Sequence, residues 1–167
     1  YDCEHTVHFE DCVQGMQDRL DDDSVDMVFT SPPYNIEKTQ SRDRKRETVD
    51  YTDDRTEQEF SDFLASVFSE VTRVLKPEGH LFVNLDHNTQ DGTVKLNSWI
   101  ADLISVSLKS YIVWDKMGAS TQASETQKGR FYPSWEPIYH FSETDNPLNS
   151  TKCSDVWSID VVRGGTR

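Results

Sequence analysis

Two consecutive prolines close the best strand pattern in the chain. Val25–Thr30 (V-D-M-V-F-T) reads as a strand, and Pro32 and Pro33 stop it by fixing φ and removing two backbone donors. From Ile36 to Thr56 almost every residue is charged or polar, which reads as a mobile loop. Thr56 then precedes Glu59 as a capping box, and Phe60, Phe63, Leu64, Val67, Phe68, Val71 and Leu75 follow at helical spacing. Lys76-Pro77-Glu78-Gly79 predicts a turn ending that helix, and His80–Leu85 predicts the next strand. The same alternation extends outward. Thr6–Phe9 reads as a short strand, Val13–Leu20 as a short helix, Leu96–Leu108 as a second amphipathic helix, and Tyr111–Trp114 and Pro137–Phe141 as strands. Lys116–Arg130 reads as a polar loop, and little pattern follows Ser142. Strand–helix alternation predicts an α/β fold with a mostly parallel sheet and helices on its faces.

The 167 residues are enough for one domain with a real core. No apolar run approaches the roughly 20 residues of a membrane span. The opening Tyr-Asp-Cys-Glu-His is acidic where a secretory leader is basic. Cys3, Cys12 and Cys153 form no C-x-x-C pair, so neither a zinc site nor a disulfide framework is expected, and a reducing cytoplasm is the expected location. The five histidines show no ligand spacing, Asp21-Asp22-Asp23 reads as a solvated turn, and no metal is expected.

Charge points away from nucleic acid at first sight. Seventeen Lys and Arg against thirty Asp and Glu give −13, whereas binding to phosphate rewards the opposite sign. Acidic surfaces also keep proteins soluble in concentrated salt, where the Debye length falls to about 3 Å at 1 M and carboxylate repulsion is screened. A salt-loving source accounts for the composition on that ground; an ordinary acidic cytoplasmic protein is the other account.

In open α/β sheets function gathers at the carboxyl ends of strands, and Thr30-Ser31-Pro32-Pro33-Tyr34 stands at such an end. There the prolines leave carbonyl acceptors without competing N–H groups, Ser31 adds a hydroxyl and Tyr34 a flat face. The set suits a planar substrate with an amino group. The ring stacks on Tyr34 while Ser31 Oγ and the Pro32 carbonyl accept the amino hydrogens, leaving the nitrogen lone pair more nucleophilic.

On these residues the chain resembles the amino-DNA methyltransferases specific for N4 of cytosine or N6 of adenine. Thr30-Ser31-Pro32-Pro33-Tyr34-Asn35 is similar to their (Ser/Asp/Asn)-Pro-Pro-(Tyr/Phe/Trp) tetrad. Glu10-Asp11-Cys12 resembles the family's G-D-C, and Arg73–Leu81 (R-V-L-K-P-E-G-H-L) its R-V-L-K-P-G-G-x-L. Ile112-Val113-Trp114-Asp115-Lys116 resembles I-I-W-x-K, and Trp135-Glu136-Pro137-Ile138 the strand with W-E-x-I. The order matches the permuted subclass in which the S-P-P-Y half comes first. The resemblance implies a Rossmann-like S-adenosylmethionine-dependent methyltransferase fold and a DNA substrate. It implies Ser31, Pro32, Pro33 and Tyr34 as catalytic residues, and Asp11, Cys12 and Thr30 at the cofactor. The family's Gly-rich F-x-G-x-G loop has no counterpart here, so residues 1–167 are expected to be one catalytic domain lacking the C-terminal cofactor-binding half.

The basic run Arg42, Arg44, Lys45 and Arg46, with Lys116, Lys128 and Arg130 on the second loop, supplies the candidate phosphate contacts. The expected reaction is methyl transfer to the exocyclic amine of a flipped cytosine or adenine. The Ser form of the tetrad leaves the two bases open. An amino-methyltransferase acting on RNA or protein glutamine, and a non-catalytic subunit binding DNA or a partner, are the alternatives.

Overall fold

The computed structural model describes residues 4–33, 35, 55–90, 93–117, 129, 131, 134–145 and 152–160. Helix α1 (Cys12–Arg19) begins at Asp11, whose carboxylate accepts from the backbone N–H groups of Val13 and Gln14 at 3.0 and 3.1 Å. Strand β1 (Val25–Thr30) has the bounds its sequence predicts. Helix α2 (Glu57–Val74) starts at the expected capping box. The Glu59 N–H donates to Thr56 Oγ1 at 3.2 Å, and the Glu59 carboxylate accepts from the Thr56 N–H at 2.9 Å. Strand β2 (Leu75–Asn84) follows directly. Then come a hairpin of β3 (Asn88–Gln90) and β4 (Thr93–Lys95), the single turn α3 (Ile100–Leu103), β5 (Leu108–Asp115), β6 (Trp135–Phe141) and β7 (Val156–Ser158).

Five strands join in the order β1-β2-β6-β5-β7. β1–β2 and β5–β7 are parallel, while β6 runs antiparallel to both β2 and β5. The sheet is therefore mixed, where alternation alone predicts mostly parallel pairing. The consecutive strands β5 and β6 pair antiparallel, which needs no crossover helix. Phe60, Leu64, Phe68 and Val71 of α2 pack on Leu81 and Val83 of β2 and on Tyr139 and Phe141 of β6, with Ile100 of α3 joining them. Met16 of α1 packs against the same core. The opposite face carries Phe29, stacked on its register partner Phe82 at 6.2 Å, and Phe82 in turn stacks on His140 at 4.6 Å. Among the described residues no helix is long and apolar enough to cross a membrane.

Several local expectations are corrected. Residues 6–9 form no strand; Val7 and Phe9 are exposed, so nothing packs on them to hold one. The helix expected over Leu96–Leu108 is one turn only. Ile104 and Val106 are both buried with exposed Ser105 between them, a period of two that carries the chain into β5, and Leu108 already belongs to that strand. The Lys76–Gly79 turn is absorbed into β2 as an irregularity: Val25 pairs with Leu75 and Met27 with His80, so six residues on β2 span what three span on β1. The patternless tail contains β7, which holds parallel to β5 although only Trp157 of its three residues is even half-buried. The β3–β4 hairpin is also new. Residues 36–54 of the loop expected over Ile36–Thr56, and most of Lys116–Arg130, lie outside the described residues.

Candidate active site

The tetrad leaves the sheet at the carboxyl end of β1. The last register pair is Thr30 with Val83, so Ser31 and the prolines emerge alongside the end of β2. Pro32 is buried and Pro33 half-buried, while Ser31 is exposed. Tyr34 lies outside the described residues. The next residue, Asn35, turns the chain with φ of 50°, a left-handed conformation that Asn tolerates better than most residues. Its side chain is latched to the start of α2. Asn35 Nδ2 donates to the Arg55 carbonyl at 3.0 Å, and the Arg55 N–H donates to Asn35 Oδ1 at 3.1 Å. The loop is thus clamped at both ends, by β1 before it and by α2 after it.

The neighbouring strand delivers a polar cluster to the same edge. Asn84, buried at the end of β2, donates to the Pro137 carbonyl at 3.0 Å and ties β2 to β6. Asp86 follows, and the amide of Asn97 donates to its backbone carbonyl. The Asp86 carboxylate accepts from the His87 N–H at 2.8 Å and lies 2.7 Å from His87 Nδ1. Register pairs Asn84 with Ile138, so the β6 residues level with Asp86 and His87 are Glu136 and Trp135. The His87 and Trp135 rings are 6.4 Å apart, and Lys116, just past β5, reaches Glu136 at 2.9 Å. Burial pushes the Asp86 carboxyl above its ordinary range, opposed by the His87 and Lys116 charges and reinforced by Glu136. Burial, with smaller contributions from Tyr111 and Asp86, pushes the Tyr139 hydroxyl up to about 12, so it stays protonated.

Sequence patterns did not single out Asp86 and His87. Adjacent acidic and imidazole residues carry no spacing signal, and only the register of β2 against β1 and β6 brings them to the same end of the sheet as the tetrad. Of the expected cofactor residues, Thr30 ends β1 and is half-buried. Asp11 is engaged as the cap of α1. Cys12 is the first residue of that helix, and burial followed by the Asp11 charge holds its thiol above the ordinary value, so it is no thiolate at neutral pH. Lys116 shares the edge but is committed to Glu136. Arg42, Arg44, Lys45, Arg46, Lys128 and Arg130 lie outside the described residues. No group of three metal-ligating side chains occurs among the described residues.

The chain's similarities agree with this geometry. A family model described as DNA methylase, of the N6/N4 type, matches residues 25–163. Among solved structures, the PvuII DNA methyltransferase (cytosine-N4-specific) superposes with a TM-score of 0.68 at 17% identity, over 96% of this chain and 58% of that one. A protein of Thermus thermophilus, described as a candidate DNA modification methylase, gives 0.61 at 19% identity, over 92% and 67%. Its complex with S-adenosyl-L-methionine gives 0.59 at 19% identity, over 97% and 68%. At these identities the likeness is one of fold: the sheet and helices are those of an incomplete Rossmann-like methyltransferase. The chain spans 58% of the length of the first of these structures. No curated protein matches it by sequence.

Proposed function

The chain belongs to the N6/N4-type DNA methylase family, and we propose that it transfers a methyl group to the exocyclic amine of a DNA base, cytosine N4 or adenine N6. One observation carries the reading. Ser31-Pro32-Pro33 sits at the carboxyl end of β1, clamped by the Asn35–Arg55 latch, where acceptors without competing donors can hold an amino group. The target amine is unreachable in a stacked duplex, so the base is flipped out, at a cost of a few kcal/mol of unstacking. Ser31 Oγ and the Pro32 carbonyl accept its hydrogens, and Tyr34 stacks on the ring. Positioning and exclusion of water carry most of the rate.

The methyl group comes from S-adenosyl-L-methionine, whose sulfonium makes the methyl carbon electrophilic. The residues present fit part of such a ligand. Thr30, Asp11 and Cys12 would meet it, but the cap on α1 already takes one oxygen of Asp11, and no F-x-G-x-G loop is in the sequence. We read residues 1–167 as one catalytic domain that supplies the amine-gripping half. The solved relatives are longer, and the edge strand β1 leaves Met27 60% and Phe29 55% exposed. A DNA substrate goes with action in the cytoplasm.

The test is methyl transfer from labelled S-adenosyl-L-methionine into duplex DNA by the intact protein, followed by nucleoside analysis. N4-methylcytosine or N6-methyladenine is expected. Ser31→Ala lowers turnover with little change in DNA affinity. Tyr34→Ala weakens both, since base–aromatic stacking is worth about 1–3 kcal/mol. Label found only in RNA or protein, or normal methylation by Tyr34→Ala, overturns the reading.

A further inference from the structure

We propose that His87 takes the proton that the amine must release, with Asp86 as its positioning residue. This rests on the amino-methyltransferase reading above and assigns a role that the tetrad leaves vacant. Ser31 and the Pro32 carbonyl accept hydrogen bonds, but neither is a base at neutral pH. When the amine nitrogen attacks, its lone pair forms the N–C bond and the C–S bond breaks with its electrons passing to sulfur. The nitrogen is then positively charged and acidic, and one of its protons has to leave.

The geometry points to His87 as the acceptor. A ring nitrogen 2.7 Å from a carboxylate oxygen carries the hydrogen, so Nδ1–H faces Asp86. Neutral His87 therefore presents Nε2 as a lone-pair acceptor, the tautomer a proton-accepting imidazole needs. The Asp86 carboxylate is itself oriented by the His87 backbone N–H at 2.8 Å, and the Asp86 backbone is pinned by Asn97. The pair leaves β2 at the edge where the tetrad leaves the adjacent parallel strand β1, and His87 is 25% exposed, open to a ligand. The groups facing it from neighbouring elements complete the balance. Glu136 of β6 is matched by Lys116 at 2.9 Å, and Tyr111 and Tyr139 stay neutral with raised hydroxyl pKa values. Asp86 is thus the carboxylate left to neutralise an imidazolium at His87.

The test compares kcat, KM and pH profiles of the intact protein with those of His87→Gln and Asp86→Asn, each checked for folding by its melting curve. His87→Gln should lower kcat about 100-fold, the low end of a general-base contribution, with KM for DNA and methyl donor changed by less than about twofold. It should also abolish the acid limb of the kcat profile. Asp86→Asn should also lower kcat with both KM values changed by less than about twofold, because an amide no longer fixes Nδ1–H of His87 and the acceptor nitrogen is lost from the productive position. A folded His87→Gln with kcat within about twofold of wild type and its acid limb intact overturns the proton role and leaves the methyltransferase reading standing. A wild type that methylates no DNA overturns that reading, and this inference with it.

Discussion

Asn35 does two things that no other residue type does together. It takes a positive φ, and its amide closes a two-way latch on the Arg55 backbone. The latch matters because a loop that grips an amine works by position, and a small misplacement of the reacting atoms is costly in rate. The two properties are separable. Asn35→Gly keeps the backbone conformation and loses about 0.5–1.5 kcal/mol for each hydrogen bond. Asn35→Ala loses the same bonds and adds about 1–2 kcal/mol for a left-handed conformation with a Cβ. Denaturant titration should therefore rank wild type above Gly above Ala, and methyl transfer should fall in both variants. Equal stability of all three would mean that the latch holds nothing. Asn35 was visible in the sequence as the residue after the tetrad, but its partner twenty residues on was not, because a latch to a backbone carbonyl and amide leaves no trace in the identity of Arg55.

At the scale of elements, legibility followed the strength of local signals. β1 and α2 were read almost to the residue, since two prolines and a capping box mark their ends. The expected helix at Leu96–Leu108 shrank to one turn because Ile104 and Val106 satisfy a strand's period as well as a helix's, and tertiary burial chose the former. β7 and the placement of β6 between β2 and β5 were invisible, being set by pairing across the sheet. The same pairing makes the His80–His140 contact, with ring nitrogens 3.0 Å apart on β2 and β6. Burial first, then the His80 and Lys109 charges, lower the His140 pKa. The folded state thus favours neutral His140, while the unfolded chain titrates at about 6.5. Its contribution to stability is complete above that value and is lost as pH falls through it toward the lowered folded value. The wild-type melting temperature should drop between about pH 7 and 5, and His140→Phe, which keeps a ring on Phe82, should show a shallower drop over that window. Identical slopes would remove His140 from the account.

The whole molecule carries −13, yet the proposed substrate is a polyanion. The described surface does little to resolve this. Arg19 is bound to Glu10, Arg73 to Asp22 and Glu70, Lys76 to Asp26, Lys109 to Asp145 and Lys116 to Glu136. Cations spent on neighbouring carboxylates offer little to phosphate, which shifts the weight to a denser cluster of positive charge. The run Arg42, Arg44, Lys45 and Arg46 begins eight residues after Tyr34 in sequence and is the densest positive charge in the chain. If it meets phosphates beside the flipped base, reversing Arg44 and Arg46 to Glu should weaken binding alike for cognate and unrelated duplexes. Each lost phosphate contact should flatten the slope of log affinity against log salt by roughly 0.9. The choice of base should survive, because phosphate contacts orient a protein without reading sequence. Lys116→Ala should change the salt slope far less, since its charge is already paired with Glu136. Binding isotherms over a salt series decide the matter. A charge-reversed protein with an unchanged slope would return the basic run to the solvated surface, and a Lys116→Ala protein with the larger loss would move the phosphate contact to the catalytic edge itself.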